Sequence, residues 1–338
     1  MAKMTSRTRR QLKIAISLML IATLMYFLDL ASISAALKDI NAAYVALAFV
    51  MVIGNRILMP LKWNLLLRAR SIRLSHLNAI RIYTIASFLG LVLPPTIGAD
   101  SVRGYYLRQA GIRLSDAVAS IVIERVFGLV VLLVFTVAGF FILADLLREG
   151  EMQTGTFAAI LGVVSATVLA VLYLSFTTWL RTLARTAAVR LEGTRLKSLG
   201  RGAESFLAAY QEYRHRQLAL ALFCGLTALE LTIVIVRSYV MALALGVELD
   251  VLVFFAFLPL VTLLNRLPVS FDGFGINEGL FIWFLALFGV AHEQGFLIGL
   301  INHLLFIAGV LPGGLFYIFS GRRTDIPPPD EQEPRSAR

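Results

Sequence analysis

The sequence predicts an all-α, polytopic membrane protein, and three observations predict it. Hydrophobic residues fill 58% of the 338 positions and charged residues only 15%, against about 25% charged in a soluble domain. The mean hydropathy is +0.80. Apolar stretches near membrane-spanning length recur along the chain, and no window of about 100 residues reads as a soluble domain.

The first stretch, Leu12 to Leu30, rises about 28 Å as a helix, close to the hydrocarbon thickness. It is longer than the apolar core of a signal peptide and lacks a convincing small-residue cleavage site, so it is expected to stay as a membrane helix. Further apolar segments run over Ala42–Trp63, Leu77–Leu93, Ala117–Leu147, Phe157–Trp179, Gln217–Leu245, Val251–Leu267, Leu280–Val290 and Phe296–Phe319. Two neighbourhoods are broken. Leu77–Leu93 runs into Pro94-Pro95 and Gly98, while Val251–Leu267 stops at Pro268, with Gly273 and Gly275 before the short Leu280–Val290 run. Proline cannot continue a helix without losing a hydrogen bond, and bare backbone survives at membrane depth only inside protein or beside water. About six full spans plus two re-entrant or broken elements are therefore expected, within one transmembrane domain over residues 12–320.

Charge placement sets the expected orientation. Cations precede the first span (Lys3, Arg7, Arg9, Arg10, Lys13) and follow the second (Lys62, Arg68, Arg70, Arg73). They recur at Arg103, Arg108, Arg113, through Arg181–Arg216 and at Arg322-Arg323. The opposite connections carry only Lys38 and Arg148, beside Asp39, Asp145, Glu149, Glu151, Glu248 and Asp250. The positive-inside rule then places both termini in the cytoplasm, with a bacterial inner membrane as the expected home. The net charge of +10 is thus accounted for by topology and anionic headgroups rather than by nucleic acid. Residues 1–11 form a basic cytoplasmic start and residues 321–338, rich in proline and acid, a disordered tail. In the cytoplasmic loop 180–216, Arg185, Val189, Glu192 and Leu196 fall near helical spacing, so this connection is either an interfacial amphipathic helix or a simple orientation-setting loop. The single cysteine, Cys224, excludes an intramolecular disulfide and reads as a packing residue.

The two breaks echo one another. Leu93-Pro-Pro-Thr-Ile-Gly-Ala-Asp100-Ser-Val-Arg103 and Leu267-Pro-Val-Ser-Phe-Asp272-Gly-Phe-Gly275-Ile-Asn277-Glu278 both read as apolar helix, Leu-Pro, small-residue turn, then a polar residue opening a new helix. An inverted repeat with discontinuous helices is the expected architecture. Helix N-termini expose N–H groups and the positive end of the macrodipole, so Asp100 is expected to cap a helix starting near Ser101, and Asn277 one starting near Glu278. A phosphate or carboxylate held there would gain Arg103 as a charge-assisted partner. Gly98, Gly273 and Gly275 would let backbone approach the ligand.

Ionisable residues within the spans mark a pathway or an interhelical pair. Glu124 and Arg125 are adjacent and project about 100° apart on a helix, so each needs a partner elsewhere. Glu230 and Arg237, seven apart, share a face. Arg56 and Arg81 read as snorkelling side chains. Glu124, Glu230, Asp272, Glu278 and His303 are candidates for coupling a proton or selecting a headgroup. The histidines (His76, His215, His292, His303) build no metal-binding pair, and no phosphate loop or nucleophile elbow occurs, so no metal, cofactor or catalytic residue is expected.

The block Gly98-Ala-Asp100-Ser-Val-Arg103-Gly-Tyr-Tyr-Leu, with Ser120-Ile-Val-Ile-Glu124-Arg125-Val-Phe-Gly128-Leu, resembles the lysylphosphatidylglycerol synthase transmembrane, or flippase-like, family. Gly273-Phe-Gly275-Ile-Asn277-Glu278 and Leu311-Pro-Gly-Gly314 fit the same pattern. Ala99 stands where that family commonly has a second glycine, and Asn277 where it often has arginine. The resemblance implies lipid translocation between leaflets, through two re-entrant elements meeting near a central cavity. Residues 321–338 leave no room for the family's aminoacyl-transferase domain, so lysyl-lipid synthesis is not expected of this chain alone. The expected partners are membrane lipids, an anionic phospholipid or a polyprenyl-linked headgroup, and a separate biosynthetic enzyme. A membrane-embedded enzyme or accessory subunit acting on lipid-linked sugars, and an ion-coupled transporter of small anions, are the rival readings.

Overall fold

The computed structural model describes residues 36–92, 98–146, 197–266 and 273–319, with positions 33, 162, 166 and 186. The expected spans Leu12–Leu30 and Phe157–Trp179, the loop residues Arg185, Val189, Glu192 and Leu196, the Pro94-Pro95 and Pro268 turns, Asp272 and the tail lie outside the described residues. The described helices are α1 Ala42–Ala69, α2 His76–Val92, α3 Gly98–Gln109, α4 Leu114–Leu146, α5 Lys197–Glu212, α6 Gln217–Ala244, α7 Val251–Leu264, α8 Ile276–Ala286, α9 His292–Val310 and α10 Pro312–Phe319. Among the described residues there is no strand. Four stretches are long and apolar enough to cross a bilayer: Ala42–Ala69, Leu114–Leu146, Gln217–Ala244 and His292–Phe319. The protein is an all-α polytopic membrane protein.

The chain divides into two compact units. The first holds residues 1–56, 132–152 and 230–311, the second 57–131, 153–229 and 312–338. Each contains one broken helical element.

In the second unit, α2 and α3 fold back on each other. A Cβ added at Gly90 would lie 3.1 Å from that of Ala99, so the hairpin is closed by two small residues. Helix α10 packs on α2 through Gly313, where a Cβ would come 2.2 Å from the Thr84 carbonyl oxygen. That contact gives the Pro-Gly-Gly segment its physical reason. Helix α1 runs six residues past the expected end at Trp63, because Trp63, Leu66 and Leu67 are fully buried in protein rather than ending at a lipid interface. Trp63 and Leu67 pack with Ile82, Tyr83, Tyr106 and Leu107. Leu66 packs with Ile123, Tyr210, Tyr213 and Phe223. Helix α5, in the connection 180–216, is strongly amphipathic and buries Leu207, Ala209 and Tyr210 in this second cluster. Arg70 fastens it, pairing with both Asp116 and Glu212. The Tyr213 hydroxyl donates to the Leu66 carbonyl at 3.1 Å, and burial holds its pKa above the ordinary phenol value.

In the first unit the core is aromatic. Phe257 stacks on Phe284 at 5.2 Å and meets Phe281 edge-on at 5.6 Å, the offset and T-shaped geometries that ring quadrupoles prefer. Helix α7 starts on Asp250, whose carboxylate accepts the Leu252 N–H at 2.8 Å. It stops at Leu264, three residues short of the expected Leu267, with Asn265 as its C-cap. Pro259 inside α7 removes the N–H that the Phe255 carbonyl would accept. Gly139 of α4 lies against that carbonyl. A Cβ there would come 2.7 Å from the Phe255 oxygen and 2.6 Å from that of Ala256.

Candidate functional site

The break in the second unit places four charges in a line. Helix α3 begins at Gly98, whose φ of 37° needs a glycine. Asp100 therefore sits inside the first turn instead of capping a helix at Ser101. Its carboxylate faces side chains. The Arg103 guanidinium, 2% exposed, donates at 2.5 Å to Asp100 Oδ1 and at 2.5 Å to Glu124 Oε2. Tyr83 donates its hydroxyl to Glu124 Oε1 at 3.1 Å. The rings of Trp63 and Tyr83 lie 5.1 and 4.8 Å from the Arg103 guanidinium carbon, so this cation also contacts π faces in a dry setting. Arg125 then clasps Asp100 with two parallel bonds, Nε to Oδ2 at 3.0 Å and Nη2 to Oδ1 at 2.9 Å.

The line reads Glu124, Arg103, Asp100, Arg125, with alternating signs and no net charge. Its inner end is sealed, with Glu124 buried. Its outer end is not: the Arg125 side chain is 59% exposed and that of Asp100 38%. Asp100 is thus held as a carboxylate by two guanidinium groups, Arg103 on one side and Arg125 on the other. Glu124 and Arg125, adjacent in sequence, go to different partners as their angular separation requires. Arg125 lies eleven residues into the 33-residue α4, about 16 Å from its start.

The break in the first unit is built differently. Gly273 and Gly275 both adopt φ of 83°, and Gly275 caps α8, which starts at Ile276. Asn277 is thus the second residue of the helix rather than its cap. Its side chain accepts from Asn265 Nδ2 at 2.8 Å and donates to the Gly299 carbonyl at 3.3 Å, tying the end of α7 to α8 and α9. Glu278, fully buried, accepts the Gly275 N–H at 2.6 Å through one oxygen and meets His303 Nδ1 at 3.1 Å through the other. Phe274 stacks on the His303 ring at 3.9 Å. The two breaks therefore use opposite chemistries, a chain of full charges in one and amides with a histidine–carboxylate pair in the other.

Two other intramembrane cations find partners on α9. Arg237, buried, donates Nε to Asn302 Oδ1 at 3.0 Å, while Glu230, two turns earlier on the same helix, is half-buried. Arg56 does not simply snorkel: it lies fourteen residues into the 28-residue α1, donates to the Phe306 carbonyl at 3.3 Å and covers that ring at 4.2 Å. Trp63, Tyr83, Phe274 and Asn265 were not singled out by sequence reasoning. Only the aromatic residues one or more helices away from an unpaired charge could have signalled them. No group of three or more metal-binding side chains occurs among the described residues.

Long apolar helices, two breaks and paired charges inside them define a polytopic α-helical membrane protein. Residues 10–313 match the family described as the lysylphosphatidylglycerol synthase TM region, and the chain belongs to that family. It is similar to a UPF0104 membrane protein of Methanothermobacter thermautotrophicus, 24% identical over 82% of this chain and 85% of that protein. It is also similar to a UPF0104 membrane protein of Methanocaldococcus jannaschii, 26% identical over 40% of this chain. That second match spans 41% of the relative's length. No solved structure matches the chain.

Proposed function

We propose that this protein moves an anionic lipid between bilayer leaflets, with Arg125 receiving the headgroup phosphate. One observation carries the reading: an arginine within an apolar helix ends a sealed line of charges and turns its guanidinium outward. A cation at that depth costs about 2.5–3.5 kcal/mol by insertion scales, and a bidentate anion is the partner its planar fork suits. In the resting state Asp100 fills that role. An arriving phosphate exchanges with the Asp100 carboxylate, which stays paired with Arg103, and the neutral line then carries the charge of the phosphate. Acyl chains remain in lipid while the headgroup uses the polar path. The Glu278–His303 pair offers a protonatable group for coupling. The cytoplasmic orientation of both termini, the inverted relation of the two breaks and an inner-membrane location belong to the same proposal.

The test is a leaflet-resolved assay in proteoliposomes, using fluorescent phosphatidylglycerol and a membrane-impermeant quencher. Arg125→Ala should slow translocation at least tenfold, the loss of one charge-assisted contact of about 1.5–3 kcal/mol. Unchanged translocation would remove Arg125 from the mechanism. Turnover of a lipid-linked sugar in detergent would favour the enzyme reading, and small-anion uptake without lipid movement the anion-transporter reading.

A further inference from the structure

We propose that Arg237, on α6 in the first unit, is the centre of a second, separate anion site that binds a phosphate group. The residue is 8% exposed. Among the described residues its one hydrogen bond goes to a neutral amide, Asn302 Oδ1. No carboxylate pairs with it there, whereas Arg103 and Arg125 of the other break both have one. An arginine cannot relieve burial by losing its proton, and an uncompensated buried charge is the costliest arrangement a membrane bundle can hold.

The surroundings increase the demand for an anion. Arg56 lies near enough for its positive charge to act on Arg237. Gly309 makes room for that side chain: a Cβ there would come 3.5 Å from Arg56 Cγ and Nε and 2.4 Å from Val52 Cγ1. Asn302 is locked in turn, since its Nδ2 donates to the Ile298 carbonyl at 2.9 Å; its oxygen must therefore face Arg237. With Nε committed, the two terminal nitrogens remain. Among the described residues they have no acceptor, yet they are not among the sealed, unpartnered polar atoms there, so they keep some access. The edge formed by two terminal guanidinium nitrogens matches two oxygens of one phosphate. Arg237 stands seven residues before the end of α6, about 10 Å along the axis, within reach of a lipid headgroup or of a free anion.

This inference does not depend on translocation, and its test is a binding measurement. The full chain in neutral detergent is melted by tryptophan fluorescence while inorganic phosphate is titrated against chloride at equal ionic strength. A second titration uses short-chain phosphatidylglycerol against phosphatidylcholine. A bound anion raises the melting temperature in proportion to its occupancy. Arg237→Gln should weaken the response roughly ten- to hundredfold in apparent affinity, Arg237→Lys less, and Asn302→Ala partly. Measured in an Arg125→Ala background, which removes the anion contact of the proposed translocation residue, the remaining response should still fall by the same factor on Arg237→Gln, which separates the two sites. A response to inorganic phosphate identifies a free anion as the ligand; a response to phosphatidylglycerol alone identifies a headgroup. The proposal is overturned if neither anion stabilises the protein, or if Arg237→Lys and Asn302→Ala both keep the full wild-type response.

Discussion

Breaking the sealed end of the charge line from either side should cost far more than removing both members together. Glu124→Leu leaves Arg103, 2% exposed, with a single carboxylate that it must share with Arg125. The line then carries one net positive charge, and the Tyr83 hydroxyl loses its acceptor. Arg103→Met leaves the buried Glu124 with Tyr83 alone and a net negative charge. Removing one partner of a buried pair costs about 3–5 kcal/mol. The double variant keeps the Asp100–Arg125 clasp and restores neutrality, while the apolar replacements suit the neighbouring Trp63 and Tyr83 rings. It should be more stable than the sum of the single losses by at least about 2 kcal/mol. Unfolding in mixed micelles, followed by tryptophan fluorescence, measures all four proteins. Additive losses, within about 0.5 kcal/mol, would refute the claim that Arg103 and Glu124 are held by each other.

Gly139→Ala should destabilise by about 1–3 kcal/mol, the range for overpacking, because its Cβ meets two α7 carbonyl oxygens within 2.7 Å; thermal melting checks it. Gly313→Ala should behave likewise, meeting the Thr84 carbonyl, and should loosen proteolytic protection of α10. Tyr213→Phe removes one buried hydrogen bond to Leu66 and should cost about 1 kcal/mol by the same melting assay.

The membrane class was legible because apolar length and sparse charge are properties of sequence alone. The breaks were legible because Pro and Gly act locally. The divergence of Glu124 and Arg125 followed from helical geometry, and the structure sends them to Arg103 and Asp100. Partner identity was another matter. The spans are apolar nearly all round, which leaves no stripe to say which face meets protein. Trp63 and Tyr83 flanking Arg103, and Gly139 beneath the Pro259 kink, depend on which helices pack together. Helix starts slipped by two or three residues at Asp100 and Asn277 because positive-φ glycines, not polar side chains, open α3 and α8.

The charge line has a consequence for how the protein is made. Every residue it requires, from Trp63 and Tyr83 through Asp100 and Arg103 to Glu124 and Arg125, has emerged once position 125 is synthesised. Four residues that would each resist entering lipid alone can enter as a neutral, already paired hairpin, before any later helix exists. Arg237 has no such early companion, since Asn302 is translated 65 residues afterwards. Insertion of this hairpin is thus electrically self-sufficient, while Arg237, like Arg56 with its Phe306 contact, waits for α9.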